Sequence, residues 1–362
     1  MKYLNNKYLL WGGLTLVLIF AIYEIRLVYT HGSLSQQQSE LQAEIQILKS
    51  KISRLESNTQ RNFVSNQSID LPVVFCGDTL DMANPLIRER VEREFYSLLG
   101  DQGQLQLYLK RTERFLPMLE KHLFEAGLPD DLKYLSVHES ALLPNIRSRS
   151  NAVGLWQFMY HTGRLYRLKI NSYVDERRDP VRATEAAMWF LSDLYKQFNK
   201  WPLVLGAYNG GQGRMQRSIE KQNSNRLIDL SLPEETERYY FKIVATKIIL
   251  SDPEKFGFKM ERADFFPARN TIEIDYIVEE NRQTLEEIAR RFGITIVELK
   301  DYNPHLINSF LPRGTYEIRV TDDQYNQFMA NYPLDESEPG TGKNLVPVSD
   351  DLSDYRRESG AK

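Results

Sequence analysis

Apolar and polar positions along this chain follow several different periods, and each predicts a different kind of element. Behind Lys2 and Lys7 an apolar run extends from Tyr8 to Tyr23, interrupted by Gly12, Gly13 and Thr15. Carried through Ile25 and Leu27 to Tyr29 it approaches spanning length, and Glu24, Arg26 and His31 occupy the place where a small-residue cleavage site would stand. The run predicts an uncleaved membrane anchor over residues 1–30, positive end in the cytoplasm and everything after it outside. Next, Leu34, Leu41, Ile45, Leu48, Ile52 and Leu55 follow the steps of three and four of a short coiled-coil seam, with Gln38 at a core position. A spacer over 31–60 is predicted, either a solvated single helix or a homo-oligomer joined through residues 34–55. Residues 61–84 are polar, lack a period through Leu71, and read as a linker.

From Pro85 the period becomes helical. Apolar residues recur in that way over Ile87–Leu99 and Leu105–Ala126, a helical extension spanning 85–127 that Gly127 and Pro129 end. Further helices are predicted over Asp131–Leu142, from the Asp179-Pro180 cap through Tyr195, over Trp201–Met215 and over Pro233–Ser251. After Gly257 the pattern changes again, because Thr271–Val278 alternates like a half-exposed strand. Helices at Thr284–Phe292 and Ile296–Tyr302 and a strand at Tyr316–Val320 complete a small βααβ module. Beyond Pro333 Glu, Ser, Gly, Asp and Lys dominate, which predicts a disordered tail over 333–362.

Charge and rare residues narrow the function classes. Forty-six basic against 49 acidic residues leave a net charge of −3 with no basic stripe, which gives no footprint for nucleic acid. Cys76 is the single cysteine, so neither an intrachain disulfide nor a cysteine-based metal cluster is available. His31, His122, His138, His161 and His305 never fall at ligand spacing, and His138-Glu-Ser-Ala-Leu142 lacks the second histidine of a zinc-binding HExxH. No metal or other cofactor is called for.

The chemistry concentrates in three ordered segments: Tyr134-Leu-Ser-Val-His-Glu-Ser140, Gly154-Leu-Trp-Gln-Phe158 and Ala207-Tyr-Asn-Gly-Gly211. In a helix Glu139 shares the face of Leu135 and Leu142, where a carboxyl group is held protonated more readily and can serve as a general acid. Ser140 is placed to orient Glu139 or to cap a turn. Gly154 permits close backbone approach, Gln157 offers an amide to an N-acetyl group, and Trp156 and Phe158 offer either sugar-stacking surface or core. Tyr208 and Asn209 put a phenol and an amide beside a tight turn, or form a helix end.

Through these and neighbouring segments, residues 128–262 resemble the soluble lytic transglycosylase domain, related in fold to goose-type lysozyme, and in particular the membrane-bound lytic murein transglycosylase D group. The resemblance is carried by Gly127-Leu-Pro129, Leu132-Lys-Tyr-Leu135, Glu139-Ser140, Ser148-Arg-Ser150, Ala152–Met159, Asn171–Pro180 and Ala207–Gly211. A Glu-Thr-x-x-Tyr run after a proline is matched by Glu235–Tyr239, which adds Glu235 and Tyr239 as candidates, although a Glu at a helix N-terminus also answers to the helix dipole. His138 and Gly210 depart from the usual pattern. The family implies a lysozyme-like helical fold in which Glu139 is the acid/base and Ser140, Gly154, Gln157, Phe158, Tyr208, Asn209, Glu235 and Tyr239 surround the substrate. It implies cleavage of the β-1,4 bond between N-acetylmuramic acid and N-acetylglucosamine with a 1,6-anhydromuramoyl product, in the bacterial envelope outside the cytoplasmic membrane. A lysozyme-like hydrolase and a noncatalytic wall-binding scaffold are the alternative readings.

Residues 268–325 resemble a lysin motif through Thr284–Ala289, Glu298–Pro304 and Leu311–Gly314, although Asn281-Arg282-Gln283 stands where Gly-Asp is usual. The resemblance implies binding of N-acetylglucosamine-containing glycan, with a purely structural module as the other reading.

Overall fold

The computed structural model describes residues 18–26, 38, 41–53 and 67–331, and divides the chain into a unit up to Gln67 and a unit from Ser68 onward. In the first unit residues 18–26 and 41–53 are helical. Among the described residues no helix is long and apolar enough to cross a membrane. Of the predicted anchor only 18–26 falls within the described residues; those before it lie outside them. Residues 41–53 of the expected spacer are a helix on which Leu41, Ile45, Leu48 and Ile52 are all exposed, while Leu34 and Leu55 lie outside the described residues.

The second unit begins earlier than the sequence suggests. Within the expected linker, Val74–Phe75 (β1) and Asp78–Thr79 (β2) pair as a small antiparallel hairpin. Cys76 and Gly77 turn it at φ 52° and 85°, and the Cys76 amide donates to Asp131 at 2.6 Å. Phe75, fully buried, holds it down edge-on against Tyr240 at 5.6 Å. One aromatic anchor with Val73 and Met82 also buried suffices to fold a stretch too short to show a period.

Helix α1 (Pro85–Gly100) starts where Asn84 accepts from the amides of Leu86 and Ile87, with proline in its first turn. Helix α2 (Gln102–Glu125) follows from an Asp101 cap and buries Leu105, Leu109, Leu119 and Leu123. The next helix, α3 (Lys133–Ser140), is shorter than expected. Ala141 and Leu142 take left-handed φ values of 52° and 57°, and the carbonyl of Ala141 accepts from Arg111 at 2.9 Å, which turns the chain two residues early. Helices α4 (Tyr160–Leu165) and α5 (Pro180–Phe198) follow. The stretch expected as one helix from Trp201 is broken at Gly211, φ 88°, into α6 (Trp201–Gly210) and α7 (Gln212–Gln222). Met215 thereby folds back over Gly206, where a Cβ would lie 2.5 Å from its methyl group. Helix α8 (Glu234–Ser251) is buried along most of its length and packs against α1, α3 and α6.

The C-terminal module has the expected βααβ order. Strand β3 (Ile272–Val278) pairs antiparallel with β6 (Gly314–Val320), Ile272 opposite Val320 and Val278 opposite Gly314. Between them a short pair, β4 (Gln283–Thr284) and β5 (Phe310–Leu311), flanks helices α9 (Leu285–Arg291) and α10 (Ile296–Tyr302), each opened by a capping box, Thr284 with Glu287 and Thr295 with Glu298. A further helix, α11 (Asp322–Asn331), lays Phe328 on Phe292 with ring centroids 4.6 Å apart.

Candidate active site

Glu139 occupies the last turn of α3 and faces α8. The phenol of Tyr239, itself buried, donates to the Glu139 carboxylate. Glu235 lies four residues before Tyr239 and Lys242 three after it, so all three share one face of α8. Burial raises the pKa of Glu139 from 4.5 to about 7; the Tyr239 hydrogen bond and the Lys242 charge pull it down, and the Glu235 charge pushes it up. Glu139 nonetheless keeps partial solvent access. Beside it His138 is held down to about 4, first by burial and then by Lys242, and it packs edge-on against Tyr239 at 5.4 Å. His138 is therefore a neutral ring at neutral pH.

The facing wall is the loop from Ala152 to Phe158, closed on itself by hydrogen bonds between Val153 and Phe158. Gly154, at φ 85°, is required for packing, since a Cβ there would stand 1.6 Å from the carbonyl oxygen of Arg177. The close approach it allows is to its own chain. Trp156 and Phe158 are core residues, 0% and 2% exposed, so the sugar-stacking alternative gives way to the packing one. The Trp156 indole donates to Thr184 at 2.9 Å, and its carbonyl accepts from the Tyr208 hydroxyl at 2.7 Å. Gln157, half-buried at φ 47°, donates from its amide to the Gly154 carbonyl at 2.8 Å. Ser140 turns away from Glu139 and donates to the Ser136 carbonyl at 3.0 Å.

Tyr208 and Asn209 end α6 toward the same cleft. Burial and the nearby Glu139 charge raise the Tyr208 pKa well above 10.0, so it remains a neutral donor. The Asn209 side chain is fixed at both ends, its oxygen accepting from Thr236 at 2.8 Å and its nitrogen donating to Glu235 at 3.3 Å. Gly210 sits where a Cβ would meet Thr236 at 3.0 Å, which draws α6 close to α8. The structure thus gathers Glu139, Tyr239, Glu235, Asn209 and Tyr208 into one cluster, with Gln157 in the loop beside them, and leaves Ser140, Gly154 and Phe158 as supports.

Residues 120–229 match the profile of the family described as Transglycosylase SLT domain. The match covers less than a third of the chain. The matched residues include Glu139, Gln157, Tyr208 and Asn209, and stop before Glu235 and Tyr239. The chain is also 31% identical over 242 residues to the membrane-bound lytic murein transglycosylase D of Escherichia coli strain K12, covering 66% of this chain and 52% of that one. With membrane-bound lytic murein transglycosylase C of Photorhabdus laumondii it shares 26% identity over 170 residues, 42% of this chain and 46% of the other. The chain therefore spans about half the length of these relatives. The 70 kDa soluble lytic transglycosylase of Escherichia coli is a solved structure with 17% identity and a TM-score of 0.35, over 52% of this chain and 32% of that one.

Around Glu139 the structure adds residues that sequence reasoning did not single out. Thr236 orients Asn209, and its signal was present in the Glu235–Tyr239 run, one place from a residue already named. Lys242 tunes both Glu139 and His138 from the next turn of α8, legible only once that helix is known to face α3. Phe190 joins Tyr166 and Tyr208 in a tilted row, 5.1 and 5.0 Å between centroids, and nothing in the local sequence marks it apart from core.

Proposed function

We propose that this chain is a peptidoglycan lytic transglycosylase in which Glu139 is the single acid/base. One observation carries the reading: a cleft carboxyl group whose pKa is raised to about 7 while a tyrosine donor holds it in place. The SLT match and the relatives named as lytic murein transglycosylases support the substrate class.

The reaction begins with protonated Glu139 donating to the glycosidic oxygen between N-acetylmuramic acid and N-acetylglucosamine, and the C–O bond breaks as the leaving hydroxyl forms. The acetamido oxygen of the substrate stabilises the electron-poor carbon. Glu139, now a carboxylate, accepts the proton of the muramic 6-hydroxyl as that oxygen closes the 1,6-anhydro ring, which returns the acid to its starting form. No second carboxylate nucleophile is needed, unlike the paired arrangement of ordinary glycosidases. Gln157, Tyr208 and Asn209 line the sugars. Burial around Glu139 favours internal attack over hydrolysis. The N-terminal apolar run anchors the chain in the envelope, and the βααβ module acts as a lysin-motif-like contact to glycan.

Mass spectrometry of muropeptides released from purified sacculi by the chain and by its Glu139→Gln variant tests this reading. Anhydromuramoyl products from the unaltered chain alone are the expected result. Reducing-end products would make it a hydrolase, and equal release by the variant would remove Glu139 from the role.

A further inference from the structure

The run Asn171–Pro180 has no part in the chemistry above, yet it is fastened on both sides. Toward the C-terminal module, Val174 is 4% exposed and belongs to the module's own core with Ile274, Leu306 and Ile318. The Asp175 amide donates to the His305 carbonyl at 2.9 Å, the Ile307 amide to the Tyr173 carbonyl at 3.0 Å, and Asn308 to the Ser172 carbonyl at 3.1 Å. Asp179 caps α5 through the amides of Val181 and Arg182, at 2.9 and 3.0 Å, while its second oxygen accepts from Arg319 of β6. Arg182 adds ion pairs to Glu273 at 2.7 Å and Glu317 at 2.8 Å.

Toward the cleft, Arg177 is held by Asp175 at 2.8 and 2.9 Å and donates to the carbonyls of Asn151 and Phe158, at 3.3 and 3.2 Å. Its own carbonyl fills the space beside Gly154. One turn into α5, Thr184 receives the Trp156 indole, and Trp156 in turn fixes Tyr208. A continuous set of bonds therefore runs from β6 to the wall facing Glu139.

We propose that the C-terminal module braces the active-site wall, with Arg319 a positioning residue that acts through Asp179 and the 171–184 strap on Trp156 and Tyr208. Its effect on turnover rests on the transglycosylase reading. A module joined by a free tether adds affinity for glycan and leaves the chemical step alone. A module that shares its core with the strap sets where the wall stands, and displacement of reacting groups by an ångström is costly in rate. Arg319 is 8% exposed and faces buried Asp179 and part-buried Glu273, so removing its charge takes the guanidinium from Asp179, leaves Glu273 with Arg182 alone and loosens the strap at its capped end.

The test compares the full chain with its Arg319→Met, Arg319→Lys and Arg182→Gln variants. Turnover on soluble glycan strands is read beside amide hydrogen exchange of residues 152–160. In Arg319→Met, kcat should fall about tenfold with KM changed less than about twofold, and exchange over 152–160 should rise about tenfold. Arg319→Lys should recover a large part of both. Arg182→Gln, partly exposed and tolerant of substitution, should move exchange in the same direction by less, and it decides the matter if Arg319→Met does not fold. Unchanged exchange over 152–160 in folded variants, or a loss confined to KM, would overturn the brace. Exchange is read without turnover, so a chain that cleaves nothing but shows the exchange increase keeps the brace and removes only the enzymatic reading.

Discussion

A carboxyl group that changes charge near pH 7 links catalysis and stability at one residue. Glu139 must be protonated to donate, so product formation should decline as pH rises through about 7, measured as kcat/KM against pH. The Tyr239 hydrogen bond lowers that pKa. Tyr239→Phe should therefore move the alkaline limb to higher pH while reducing kcat by about tenfold through lost orientation. A limb that moves to lower pH would contradict the role given to Tyr239. For stability the sign follows from proton binding. Between 4.5 and about 7 the folded state holds a proton that the unfolded chain releases, so the contribution of protonated Glu139 is complete below 4.5 and is lost as pH rises through about 7. Glu139→Gln should match the unaltered chain at pH 4 and exceed it at pH 8 by about 1–3 kcal/mol, partial solvent access trimming the full shift. Urea denaturation at the two pH values checks it. Glu139 stood out as a candidate in the sequence through its company, Gly154–Phe158 and Ala207–Gly211, since an acid on an apolar helical face is by itself as readily a salt-bridged structural residue. Thr236 and Lys242 were not, because their importance depends on which helix α8 faces.

At the scale of elements, the wall loop is held by steric and polar constraints that substitution can separate. Gly154→Ala would place a methyl group 1.6 Å from the Arg177 carbonyl at a φ of 85°, so the loop or the strap must move. A loss of roughly 3 kcal/mol or more is expected in denaturant titration, since backbone, not a flexible side-chain end, is in the way. Thr184→Val removes the acceptor of the buried Trp156 indole and should cost about 1–3 kcal/mol with little change in volume. Stability equal to the unaltered chain would mean that the indole finds another partner. Element ends were the least legible part of the sequence. The helix predicted from Asp131 was to reach Leu142, but the α3 helix stops at Ser140 because Arg111, thirty residues away, takes the Ala141 carbonyl. Trp156 and Phe158 were compatible with cleft or core, and only the packing of α5 behind them decides for core.

For the whole molecule, the change of period after Gly257 announced a separate module correctly in its βααβ order, yet it concealed how that module is attached. Alternation in β3 and β6 reports which face is buried and says nothing of Val174 completing the core from a hundred residues upstream. The consequence is measurable. Ending the chain after Ala268 exposes Val174, leaves the Asp175 amide without the His305 carbonyl, and takes Arg319 from Asp179 and Glu273 and Glu317 from Arg182. Burial of one valine contributes about 1.5–3 kcal/mol and each lost hydrogen bond about 0.5–1.5 kcal/mol. Together these losses should lower the Tm of the remaining domain by roughly 10 °C in calorimetry. Weaker pelleting with sacculi should accompany that loss if the module also contacts glycan. Weaker pelleting with an unaltered Tm would instead describe a module that touches the remaining domain without supporting it, because a shared core cannot be removed without a thermal signature.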